Sequence, residues 1–464
     1  MIEHLKPYVD YKESGLPWLG KIPDHWIIKR GKAYLTCIDE RSKTGTEELL
    51  TVSSARGVVP RNTASVTMFK AKSYVGYKLC WPGDLVINSL WAWGGGLGVS
   101  QYHGIISTAY SVYRSRKSAD IMPRYLHELV RSAAFNWELH IRSKGIWISR
   151  LQLTDTAFLD APLPLPPPDE QAAIVKFLDY ANGKIERAIR AKRKLIGLLN
   201  EQKQAIIHRA VTRGLDPNVK LKPSGIPWLG DVPEHWEIKR IKYLMNTVDC
   251  RSATGDEVLL SMRKYHGLVP YHEHFHKPPQ AATLKGFKLV KPGQIVVNRM
   301  QAGFGLISSS TYDGLVSPDF GVFQPTGEVV PEFLAELFRS RDIRAQFQRE
   351  SKGLGTGQSG FMRLYDDRIG IVHIAFPPFV DEQHMILSHL RDDVRGVENT
   401  IRLTEQEIAL LLEYRTTQTA EVVTGKLDVR EAAKRLPDGA DENISPDDSI
   451  EDLIDEEITE EDEA

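Results

Sequence analysis

The chain is written twice. Residues 14–30 read SGLPWLGKIPDHWIIKR, and residues 224–240, 210 positions later, read SGIPWLGDVPEHWEIKR. The register persists: Arg41-Ser42 and Thr44-Gly45 return as Arg251-Ser252 and Thr254-Gly255, and Gly57 and Pro60 as Gly267 and Pro270. Gly76, Lys78, Pro82, Gly83, Val86 and Asn88 return as Gly286, Lys288, Pro292, Gly293, Val296 and Asn298. Further on, Ser143-Lys144-Gly145 matches Ser351-Lys352-Gly353, and Asp169-Glu170-Gln171 matches Asp381-Glu382-Gln383. The copies close alike, VTRGLD at 211–216 and VTGKLD at 423–428. Solenoid units run to roughly 20–50 residues, so a period of this length makes each copy a whole domain with an appendage.

Within a copy the first part reads as mixed α and β. Residues 84–90 and 108–114 are rich in Val, Ile and Tyr and bounded by Pro-Gly or charge, as strands are. A helix is expected over 123–142, with Pro123 at its first position, Tyr125, Leu126, Leu129, Val130 and Ala133 on one face, and Gly145 to cap it. The second copy repeats the pattern from Pro331 through Leu334, Leu337, Phe338 and Phe347 to Gly353. A proline-rich stretch, 162–168, reads as a hinge. Beyond it, 169–213 contains no proline, and Ile185, Ile189, Lys192, Ile196 and Leu199 step by 4, 3, 4, 3; Val397, Ile401, Thr404, Ile408 and Leu411 keep the same spacing. A sustained 3.5-residue period predicts coiled-coil helices. Forty residues at about 1.5 Å each make a rod of roughly 60 Å, and the two rods most simply pair antiparallel.

The expected fold is therefore α+β: two homologous mixed α/β domains separated by long helices in an antiparallel coiled coil, with pseudo-two-fold symmetry. The expected boundaries are 1–160 for the first domain, 161–223 for hinge and helix, 224–372 for the second domain, 373–430 for its hinge and helix, and 431–464 for an acidic, disordered tail.

Charge is divided along the chain. Of 59 Lys+Arg and 61 Asp+Glu, residues 437–464 hold 14 of the acids and none of the bases, leaving 47 acids against 59 bases elsewhere. A body with an excess of 12 positive charges favours polyanion partners, because each neutralised phosphate releases condensed counterions. Three widely spaced cysteines (Cys37, Cys80, Cys250) fit neither a disulfide framework nor a zinc ribbon. With no long apolar run and no apolar leader, a cytoplasmic, non-membrane protein is expected.

Catalytic patterns fail on context. His272-Glu273-His274-Phe275-His276 satisfies HExxH, but prolines at 270, 278 and 279 deny it the helix a zinc site needs. Gly355, Gly357 and Gly360 satisfy GxGxxG after a helix rather than a strand. Phe376-Pro377-Pro378-Phe379 approaches an amino-methyltransferase motif but lacks the polar residue that would hold the target amine. No catalytic and no metal-binding residue is assigned.

The doubled SGxPWLGxxPxHWxxKR segment, the Pxx[DE]EQ lead-in to each long helix, and the domain–helix–domain–helix order resemble the specificity subunit of type I restriction–modification systems, over about residues 11–428. The resemblance implies two target-recognition domains, each reading one half of a split, asymmetric double-stranded DNA sequence. It also implies helices that set the gap between half-sites and dock two methyltransferase (modification) subunits, with restriction/motor subunits completing the complex. AdoMet, ATP and Mg²⁺ are then expected in those partners and not in this chain.

The DNA-facing candidates are Asn88, Trp91 and Trp93 in one copy and Asn298, Arg299 and Gln301 in the other, because Arg, Asn and Gln read base edges through paired hydrogen bonds. Arg56, Arg61, Arg263, Lys264 and His266 are candidates for phosphate, as are Lys144 and Lys352, whose identity in both copies suits backbone contact. Trp18, His25 and Trp26, with Trp228, His235 and Trp236, read as packing that clamps the start of each domain. Ile185, Ile189, Ile196, Leu199, Val397, Ile401, Ile408 and Leu411 are the expected helix-pairing and partner-docking positions. The rival readings are a self-sufficient DNA-modifying enzyme and a coiled-coil scaffold that binds only protein.

Overall fold

The computed structural model describes residues 5–63, 73–117, 119–145, 151–263, 266–274, 279, 281–354 and 361–437. Residues 438–464 of the acidic tail, Lys264, His276 and the 355–360 glycine run lie outside them; the start of the expected disordered tail is instead ordered, with Arg430–Lys434 helical and Ala433 buried. The chain divides into two compact units. One comprises residues 1–193 and 405–464, the other 194–404. Each therefore holds one copy's mixed domain, the start of the long helix that follows it, and the end of the other long helix. No described helix is long and apolar enough to cross a membrane.

In the first unit an antiparallel four-stranded sheet runs in the order Leu35–Ile38, Tyr110–Ser115, Leu85–Asn88, Leu97–Val99. Flanking it are the hairpin Leu50–Ser53 with Gly57–Pro60 and the pair Lys78–Cys80 with Gly104–Ile106. In the second unit the sheet order is Met245–Thr247, Phe320–Pro325, Ile295–Asn298, Ile307–Ser309, with the same flanking pairs. The duplication is thus one of topology as well as of letters.

The SGxPWLG segment is the loop of an opening hairpin, Tyr11–Glu13 against Lys21–Pro23. Ser14 Oγ accepts from Leu16 N, and Gly15 and Gly20 sit at φ +72° and +65°, which a β-carbon disfavours. The expected helix over 123–142 is two helices, Pro123–Arg131 and Ala133–Arg142, broken at Ser132. Ser132 is extended; its Oγ accepts from Phe135 N and donates to Leu129 O, competing with the helical ladder as serine does at caps. Ser340 breaks the second copy at the same place. Gly145 caps nothing: the helix ends at Arg142, and Ser143 Oγ donates to Leu139 O.

The proline-rich hinge is in fact a strand. Pro162–Leu165 pairs antiparallel with Ile27–Arg30, as His373–Phe376 pairs with Glu237–Arg240. A two-stranded ribbon leaves one edge of each strand unpaired, so prolines at 162 and 164 are tolerated.

The long helices span Pro168–Arg213 and Val380–Val423. Each opens on Asp-Glu, which suits the positive end of the helix dipole, and each ends beside a glycine at φ +75°, Gly214 or Gly425. In the first unit Glu186 pairs with Arg415 and Lys192 with Glu407: one helix advances as the other retreats, so they run antiparallel. Ile185, Ile189 and Ile408 are buried there and Leu411 half-buried. In the second unit Lys203 pairs with Glu398, Val397 is buried, and Ile196, Leu199 and Ile401 are half-buried.

Candidate nucleic-acid interface

Two repeated motifs meet at one carboxylate in each unit. Glu170, at the start of the long helix, accepts from Trp26 Nε1 at 2.8 Å and from the Tyr8 hydroxyl, and its other oxygen lies 2.7 Å from His25 Nε2. Burial first, and then the bond to Glu170, push the Tyr8 phenol's pKa up and keep it a donor. Glu382 takes Trp236 Nε1 and His235 Nε2, each at 3.0 Å. The neighbouring glutamine does different work. Gln171, fully buried, accepts from Met122 N and donates to Asp120 O and Pro166 O; Gln383 accepts from Val330 N and donates to Glu328 O and Pro377 O. His-Trp and Glu-Gln therefore recur because together they weld each domain to its rod. His25 is expected to pack; it is a half-exposed hydrogen-bond partner of Glu170 instead, while Trp26 and Trp236 are fully buried.

The base-reading candidates lie on loops at one end of each sheet. In the first unit Trp91 Nε1 donates to Ser54 Oγ at 3.1 Å, joining the 89–96 loop to the hairpin turn that carries Arg56. Leu153 N donates to Ser89 O, and Lys144 pairs with Gln152, so the Lys144 segment joins the same cluster. The Arg131 guanidinium donates to the carbonyl oxygens of Ser54, Ala55, Gly95 and Leu97 and locks turn and loop together. Sequence inspection missed Arg131, whose only signal is a basic residue at the end of an amphipathic helix. Arg61 stands at the other end of its strand, away from this cluster.

The candidates divide by orientation. Trp91 is 46% exposed and packs against Trp93, tilted by 53° with ring centroids 4.7 Å apart, whereas Trp93 turns inward with its Nε1 buried. Gly94 and Gly96 exist for this packing: a β-carbon on Gly94 would lie 2.6 Å from the Trp91 ring, and one on Gly96 2.8 Å from the Trp91 carbonyl oxygen. Asn88 and Asn298 are turn residues, their Oδ1 atoms accepting from Leu90 N and Met300 N.

Arg299 is withdrawn from the surface. Its guanidinium forms a two-bond ion pair with Asp366, at 2.8 and 2.6 Å, and is 11% exposed. That leaves Gln301, Met300 and Phe304 at the tip of the second loop, Phe304 67% exposed. Arg263 borders the second hairpin turn and His266 sits in it, exposed; Lys352 is exposed on the strand Lys352–Leu354, which pairs with Phe361–Arg363. Among the described residues no group of His, Cys, Asp and Glu could hold a metal ion. Of the HExxH segment, Tyr271–His274 is helical, and Phe275 and His276 lie outside the described residues.

No known family model matches the chain. The putative type I restriction enzyme MjaX specificity subunit of Methanocaldococcus jannaschii is 22% identical over 329 residues, 67% of this chain and 69% of the relative. A chain from a structure of a type I restriction–modification system, solved for its complex assembly and conformational transition, matches 88% of this chain and 99% of its own length, with a TM-score of 0.62 and 16% identity. The HsdS subunit from Thermoanaerobacter tengcongensis matches 89% of this chain and all of its own, with a TM-score of 0.45 and 16% identity. The chain thus resembles the type I restriction specificity subunit in sequence over two thirds of its length, and it shares its α+β fold with a chain from a type I restriction–modification system.

Proposed function

We propose that this chain is the DNA sequence-reading subunit of a type I restriction–modification complex, each mixed domain reading one half of a bipartite, asymmetric target. The observation that carries the reading is one scaffold with two different tips: Leu90, Trp91 and a glycine run on the first, Met300, Gln301 and Phe304 on the second. Two-fold repressors impose palindromes on their operators; two unlike tips on one chain do not. The paired helices act as the ruler between half-sites and as the dock for two methyltransferase subunits, with a motor nuclease joining for cleavage. The chain itself is non-catalytic, and AdoMet, ATP and Mg²⁺ act in the partners.

Exchanging residues 18–160 for the corresponding domain of another such subunit is expected to change one half-site only, read by methylation mapping in cells that carry the partner subunits. A change in both halves would refute independent reading. Removing one heptad from each rod is expected to shorten the gap or abolish assembly. The purified chain incubated with DNA plus AdoMet or Mg²⁺ is expected neither to methylate nor to cut; activity there would favour the enzyme reading.

A further inference from the structure

Behind the reading loop of the second unit lies a cleft of about 480 Å³, between that domain's helix pair and the two long helices. Five of its lining residues are cationic and two anionic. Glu398 is taken by Lys203 and Glu336 by Arg339, which leaves Arg344, Arg391 and Arg395 as the excess. Arg339 Nε and Arg344 Nε are buried and have no hydrogen-bond partner. A buried guanidinium N–H left without an acceptor is costly unless a ligand satisfies it. Leu387, Leu390 and Val394 give the cleft an apolar floor, which strengthens any charge contact made there.

The cleft is tied to the reading loop. Gln348 Nε2 donates to Gly303 O, and Arg344 reaches Phe304 O at 3.5 Å. At the matching place in the first unit, Asp179 stands for Arg391, Gly183 for Arg395 and Asn136 for Arg344, and Arg131 spends its N–H groups on loop carbonyls. There Asp179 is already paired with Arg124 at 2.7 Å. The three excess arginines are thus a feature of the second copy.

We propose that this cleft holds a backbone phosphate of the DNA whose bases the 299–305 loop reads. The inference rests on the DNA-reading function above. Guanidinium forks match phosphate geometry, and a phosphate on Arg344 would brace the loop at Phe304 as the duplex seats. The contact carries no sequence information, so it raises affinity for every duplex equally.

The test is the full-length double variant Arg391→Gln/Arg395→Gln, both side chains being exposed on the second long helix. Dissociation constants are measured against the mapped target duplex and a scrambled one over a range of salt. The expected result is a loss of roughly 10-fold on both duplexes, an unchanged preference ratio, and a salt slope shallower by about 1 to 2. Neutral methylphosphonates placed singly along the duplex are expected to weaken the wild type at one or two adjacent positions and to leave the variant unaffected there. If the wild type prefers its target and the variant binds both duplexes with wild-type affinity and slope, the cleft assignment alone falls. A variant that keeps its DNA affinity but loses methyltransferase-subunit binding overturns it in favour of a protein dock. A wild type without any preference removes the DNA-reading function, and the cleft assignment with it.

Discussion

The two copies solve the same packing problems with different chemistry. Asp84, almost fully buried, accepts from Trp81 N and forms a two-bond ion pair with Arg114 at 2.8 and 2.9 Å. At those positions the second copy has Gln294, which accepts from Lys291 N and donates to Gln324. Asp155 is held by the Ser111 and Tyr113 hydroxyls at 2.6 and 2.7 Å, whereas its counterpart Asp366 is held by Arg299. Burial works to raise the Asp155 carboxyl, but the hydrogen bonds from Ser111, Tyr113 and Cys37 outweigh it and hold it below the usual range. Hydrogen-bond geometry survives in both copies while charge is exchanged freely. A network needs its acceptors filled, and it is indifferent to whether an ion or an amide fills them.

The largest expected difference between the copies lies at the clasps. Glu170 is 3% exposed and serves a buried tyrosine as well as the indole; Glu382 is 24% exposed and, among the described residues, takes the His-Trp pair. Glu170→Ala is expected to cost about 3 kcal/mol and Glu382→Ala about 1, because water can replace the more open carboxylate. Urea unfolding of the full chain measures both, and equal costs would erase the distinction.

A second contrast is acid sensitivity. His127 Nδ1 accepts from Val99 N, and burial, helped by Arg131 and Arg124, pushes its pKa down from 6.5 to about 3. The folded first copy thus takes up this proton later than the unfolded chain does. Stability from this site is complete above about pH 6.5 and is lost as pH falls towards 3. The second copy has Ala335 at this position. Hydrogen exchange, corrected for intrinsic rate, should show Leu97–Val99 losing protection between pH 7 and pH 5 while Ile307–Ser309 does not; His127→Gln should remove the difference.

The smallest effect is the one that sharpens the comparison most. Asp84→Gln/Arg114→Gln transplants the second copy's neutral pair into the first and is expected to change stability by less than about 1 kcal/mol, whereas Asp84→Ala alone costs about 2 by orphaning Trp81 N and Arg114. A double change as costly as the single one would show that the ion pair is not interchangeable with the amide pair.

Much of this architecture was legible in the letters, for definite reasons. The repeat could be read because both copies must make the same His-Trp to Glu-Gln weld. The rods could be read because a 3.5-residue stripe leaves Ile185, Ile189, Val397 and Ile408 buried while Leu198 and Leu410 face outward. What escaped depends on long-range partners. Arg299 looks like a base reader until Asp366, 67 residues away, is seen to hold it. The strand at Pro162–Leu165 looks like a hinge until its partner at Ile27–Arg30 is placed. Ser132 breaks a helix that apolar periodicity alone would continue, because the signal lies in one hydroxyl rather than in a pattern.

The packing of Trp91 against Gly94 and Gly96 has a consequence for how such a protein acquires new targets. The indole and its two glycines are matched to one another: a side chain at 94 would collide with the Trp91 ring and one at 96 with the Trp91 carbonyl oxygen. Stepwise mutation would therefore pass through poorly ordered intermediates. New preferences should arise by wholesale replacement of the 89–96 segment, inherited as a cassette, rather than by drift at single sites.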